Sequence, residues 1–135
     1  MFQPLKPILL HSLLGASQLL VAQQQKAESI SVSIVQLLAT PEKFHGKLIR
    51  VIGFVHIEFE SCAIFLHADD FKYHIYKNAL EIGVPIWAAK NPKKYNNHYA
   101  LIEGVFDSTN PGHMGLCNGS IREITRISPI PNPAA

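Results

Sequence analysis

Cysteine is scarce: two in 135 residues. Two thiols exclude a disulfide-dense scaffold and a four-cysteine zinc site. Charge of one sign is also missing, with 12 Lys and Arg against 10 Asp and Glu. A polybasic nucleic-acid tail and an acidic solvating tail are therefore not indicated. The longest uncharged apolar stretch, residues 7–22, is short of the roughly 20 residues that span a bilayer as a helix. There is no phosphate-cradling glycine loop, no Gly-x-Ser-x-Gly elbow and no dinucleotide fingerprint. What is present is a hydrophobic fraction of 47%, enough for one globular core.

The first 22 residues read as a secretory signal. Lys6 precedes the apolar stretch, and the small residues Gly15, Ala16, Ser17 and Ala22 suit a signal peptidase. Cleavage near Ala22 predicts a periplasmic or secreted mature chain with no membrane span. Residues 23–29 read as a flexible leader, 30–128 as the domain and 129–135 as a Pro-rich tail.

Ile34, Leu37 and Leu38 fall near helical spacing after Ser31 and Ser33, either of which can cap a helix. Thr40-Pro41 restarts a helical turn and Gly46 ends it. Five strand patterns follow, at 47–60, 62–67, 74–82, 98–107 and 113–127. In the first, Val51, Gly53, Val55, Ile57 and Phe59 share a face, and mid-strand Gly53 predicts a bend or bulge. Gly115 and Gly119 are expected to curve the fifth. The resulting fold class is mainly β: a five-stranded OB-like closed barrel preceded by a short N-terminal helix. An open α+β sheet is the alternative.

Three stretches carry a family resemblance: QLLATPEKFHGKLIRVIGF, HYALIEGVFD and GHMGLCNGSIREITRI. Their form, a helix, a short turn, x-Gly-Lys and a long Val-x-Gly-x-Val strand, resembles bacterial OB-fold (BOF) and tRNA-anticodon-like OB domains. Gly46, Lys47, Val51, Gly53, Glu103 and Gly104 match that pattern. The whole span 34–127 looks like a small bacterial family without an assigned activity. The resemblance implies the barrel and leaves function to the site.

His56, Glu58 and Glu60 alternate on one strand face, with His67, Asp69, Asp70 and His74 nearby, but no spacing forms a metal signature. A single-strand nucleic-acid surface would use Phe54, Tyr73, Tyr76 and Trp87 with Lys72, Lys77, Lys90, Lys93 and Lys94. The near-neutral charge opposes it, because phosphate neutralisation supplies most of such affinity. Cys117 has His113 close in sequence, but nothing in the sequence fixes a thiolate–imidazole geometry. A Cys62–Cys117 disulfide is open to an exported chain.

The expected function is an exported binding module with no catalytic residues and no cofactor. Its partner is an unknown protein or small ligand of the envelope. Its contacts are expected at Arg50, His56, Glu58, Tyr76, Lys77 and Trp87, on the outer face of the first three strands and the 83–97 loop. The alternatives are a cytosolic single-stranded nucleic-acid binder and a metal-binding stress or immunity protein.

Overall fold

The computed structural model describes residues 26–134. The expected signal sequence, residues 1–22, and residues 23–25 of the expected leader lie outside them. β1 (Ile30–Ser31) leads into α1 (Ile34–Ala39) and a 3-10 turn at Pro41–Lys43. β2 (Leu48–Ile57) and β3 (Cys62–Phe65) form a hairpin. α2 (Ala68–Lys72) and a second 3-10 turn (Tyr76–Asn78) precede β4 (Ala79–Ile82). α3 (Ile86–Ala89) and α4 (Pro92–Tyr95) connect to β5 (His98–Asp107). A third 3-10 turn (His113–Gly115) and β6 (Ser120–Pro129) complete the fold.

Local chemistry starts α1. The Ser33 hydroxyl accepts from the Gln36 N–H, and the Gln36 side chain accepts from the Ser33 N–H. Ile34 and Leu37 then face inward and are buried. Along β2, Ile49, Val51, Gly53 and Val55 face inside, and the residues between them face out.

Five strands close on themselves. The order is β2-β3-β4-β6-β5, and β5 pairs back onto β2. β4 and β6 run parallel; the other pairs around the ring are antiparallel. β1 adds two residues alongside β2. Closure leaves no open edges around the ring. α1 and α4 each insert side chains into the interior, notably Ile34, Leu37 and Tyr95.

Gly53 is not a bulge. β2 stays in continuous register with β5 from Leu48 to Val55. The residue is a contact point, where a Cβ would lie 2.6 Å from the Phe65 carbonyl oxygen and 2.7 Å from Ile34 Cδ1. The register shift in the barrel falls instead between Glu103 and Val105 of β5, opposite β6.

Three strand boundaries also differ from the sequence expectation. β2 ends at Ile57, and residue 58 donates its N–H to the Ser61 carbonyl to make the turn. Phe59, expected on the core face, is fully exposed there. The strand expected over 74–82 begins at Ala79, because the Ile75 N–H returns to the Asp70 carbonyl and His74 takes φ 58°. The strand expected over 113–127 runs from Ser120 to Pro129. Residues 108–119 form a loop, so Met114 and Leu116 are exposed rather than core.

A second apolar cluster lies outside the barrel. Ala63, Phe65, Ala79 and Cys117 are buried there under Phe54, Phe71 and Tyr76. Phe65 packs 5.5 Å from Phe71 and 5.6 Å from Tyr76, centroid to centroid. Asp70 pins this cover: its carboxylate accepts from the His67 N–H and from the Asn78 side-chain amide. The outer face of β3 and β4, expected as contact surface, is thus largely covered by the chain itself.

Candidate binding cleft

Two loops meet over the covered face. The β2–β3 turn, residues 58–61, is held from below. His56 Nε2 donates to Glu58 Oε1 at 2.6 Å, and Nδ1 lies 2.8 Å from Asn97 Oδ1. The His56 ring stacks on Phe71 at 4.0 Å. Asn96 Oδ1 accepts the Ile57 N–H, and the Cys62 thiol donates to the Glu58 carbonyl.

The β5–β6 loop is tethered to the barrel wall at several points. Glu81 Oε1 accepts the His113 N–H at 3.1 Å. Asn118 donates its N–H to the Ala79 carbonyl and its side-chain amide to the Lys77 carbonyl. Gly112 sits at φ 77°, where a Cβ would be 2.7 Å from Glu81 Oε2. Glycine alone permits both that backbone angle and that approach.

Between these loops opens a cleft of about 440 Å³, walled by Phe59, Met114 and Leu116 and bordered by Glu58, Glu60, Ser61, Tyr76 and His113. A narrow recess beneath it reaches Ala63, Glu81, Cys62 and Cys117. Phe59 also borders a second cleft, of about 480 Å³, with Val84, Ala89 and Pro92 on the far side. Phe59 is 100% exposed and Met114 80% exposed, so water covers apolar surface that most proteins would bury. Glu58 pairs with His56; Glu60 and Glu81 have no ion-pair partner among the described residues.

The structure divides the six expected contact residues. Glu58 and Tyr76 line the cleft, His56 orients Glu58, and the Lys77 carbonyl anchors the opposing loop. Trp87 lies on α3, edge-on to Tyr95 at 5.9 Å. Arg50 is elsewhere: it stands opposite Glu103 on β5, six residues or roughly 20 Å along β2 from His56.

Phe59, Glu60, Glu81, His113, Met114 and Leu116 complete the cleft and were not among the expected contacts. The signal for the last three is the glycine spacing in Pro-Gly-His-Met-Gly-Leu-Cys-Asn-Gly, which suits a loop better than a strand. The expected nucleic-acid platforms fare differently. Phe54 and Tyr76 pack into the outer cluster, while Tyr73 is exposed with Lys72 over its ring. Among the described residues no three His, Cys, Asp or Glu side chains converge to hold a metal ion. No described helix is long and apolar enough to cross a membrane.

Both cysteines are free thiols. Cys62 packs against the barrel interior and Cys117 belongs to the outer cluster, and both border the narrow recess. Burial, reinforced by Glu81, pushes the Cys117 thiol up to about 11. Burial also raises Cys62. At pH 8 about one Cys117 thiol in a thousand is ionised, so iodoacetamide labelling of the native protein is expected to be slow and to accelerate toward pH 11. Intact mass against time measures this; complete labelling within minutes at pH 8 would contradict it. The native state holds the Cys117 proton above pH 9 where the unfolded chain loses it, so this contribution is full below 9 and is lost as pH rises through about 11.

Compared with protein-family models, curated proteins and solved structures, the chain has no match. Its reading therefore rests on the barrel and the cleft.

Proposed function

We propose that this chain is a small OB-like binding module of the bacterial envelope, exported and without catalytic activity. The cleft between the β2–β3 turn and the β5–β6 loop carries this reading. Numbered around the ring, the strands run 1-2-3-5-4 and return to 1, with the third and fifth parallel. This arrangement supports the OB-like assignment, and OB barrels bind ligands beside these same two loops. Exposed Phe59 and Met114 supply unpaid apolar area, while a raised thiol is a poor nucleophile. The residues at the cleft favour this reading over single-stranded nucleic acid: its border carries carboxylates, and Lys90, Lys93 and Lys94 do not line it.

Two measurements test the proposal. Intact mass from fractionated cells is expected to match residues 23–135 in the exported fraction; a full-length cytosolic protein would defeat the export half. Nile red, a neutral dye whose emission rises in apolar surroundings, is expected to bind the cleft. The double substitution Phe59→Ser/Met114→Ser should weaken that binding about tenfold while leaving the urea midpoint unchanged, since both side chains are exposed. Undiminished dye binding by the variant would remove this cleft as the site.

A further inference from the structure

Resting on the reading of the chain as a binding module, we propose that the cleft receives a basic, apolar segment of a partner protein. An aliphatic or aromatic side chain of that segment packs against Phe59, Met114 and Leu116. A neighbouring Lys or Arg faces the carboxylates of Glu58 and Glu60, and Glu81 adds negative charge from the recess below.

Charge complementarity selects this occupant. Apolar walls and carboxylates lie in one cleft and the recess below it. His56 hydrogen-bonds Glu58 from beneath, Lys77 stands near Cys117 in the recess, and no Lys, Arg or His side chain of the described residues pairs with Glu60 or Glu81. An acidic peptide or a phosphate ester entering here would meet like charge, which disfavours the wrong partner more than it weakens the right one. The cleft is an open trough between two loops rather than an enclosed cavity. Its volume of about 440 Å³ suits a few side chains of an extended segment. A closed barrel offers no free edge around the ring for strand addition, so recognition falls to side chains.

The test uses the protein recovered from the exported fraction, labelled with nitrogen-15. It is titrated with a capped peptide alternating leucine and lysine, with its leucine–glutamate counterpart, and with phosphatidylcholine–phosphatidylglycerol vesicles. The lysine peptide is expected to shift the amides of residues 58–62 and 113–117. Its affinity should fall with added salt. Glu60→Gln and Glu81→Gln should each weaken it about two- to fivefold, as loss of an exposed ion pair does, with unchanged urea midpoints. Glutamine at 81 keeps the acceptor for the His113 N–H, so the loop stays anchored. Equal shifts from the glutamate peptide would overturn the charge assignment and leave the cleft standing as a binding site. Vesicle binding without peptide binding would overturn it in favour of a lipid surface. Silence of these amides toward every probe would overturn both this proposal and the module reading.

Discussion

Gly53→Val is expected to cost more than about 3 kcal/mol in urea unfolding. The position looks tolerant in sequence, since valine is the better strand former. Tertiary contact decides otherwise. A Cβ at residue 53 would stand 2.6 Å from Ile64 Cγ1, 2.6 Å from the Phe65 carbonyl oxygen and 2.7 Å from Ile34 Cδ1. A side-chain end can rotate away, but the carbonyl belongs to the β2–β3 ladder and moves only with it. Overpacking by a few methyl groups costs about 1–3 kcal/mol where the core can adjust, and more where backbone blocks it. Against a total of about 5–15 kcal/mol for a domain, that loss is a large share of the stability. Gly53→Ala should lose about 2–3 kcal/mol in urea unfolding. Ile34→Val, which removes one of the three obstructing atoms, should recover part of it. The double-mutant coupling is the diagnostic quantity. A loss under about 1 kcal/mol for Gly53→Ala would mean that α1 does not press on β2 as described.

Phe106→Ala should lose about 3–5 kcal/mol, while Phe59→Ala stays within about 0.5. The residue type is the same and the burial is opposite: Phe106 is 0% exposed and Phe59 100%. Phe106 lies on β5 in the barrel core, and its ring carbon Cε2 would be 3.0 Å from a Cβ on Gly119. Its main chain is tied to the Lys47 carbonyl and to the Gly46 N–H, so the backbone cannot collapse readily into the void. The cavity therefore persists and adds its cost to the lost transfer energy. Parallel urea titrations of the two variants check this, and similar midpoints would refute the assigned burial.

The two phenylalanines also mark how far the sequence could be read. Phe106 sits in HYALIEGVFD, a β-forming run in which Ala100, Ile102, Gly104 and Phe106 recur at period two, and all four are buried. Phe59 belongs by the same arithmetic to the inner face of β2. It does not lie there, because the strand stops at Ile57 and the chain turns. The stop is set by partners remote in sequence: Asn96 accepts from the Ile57 N–H, and Asn97 meets the ring of His56. No local pattern announces those contacts. The same holds for Met114 and Leu116. Apolar spacing made them look like strand residues, while Glu81, some thirty positions away, holds their loop against the barrel.

Sequence by itself determined the elements whose cause is local. The Ser33–Gln36 box starts α1, Thr40-Pro41 breaks it, and β-branched alternation marks the strand segments. Tertiary structure alone decided how these pieces close. The parallel pairing of β4 with β6 and the return of β5 to β2 are long-range hydrogen-bond choices, made when each strand's apolar face finds the common interior. It also decided that β3 and β4 cover their outer face with Phe71 and Tyr76, and that two distant loops come together as a cleft. Periodicity records which face of an element avoids water; it carries no record of which other element supplies the cover.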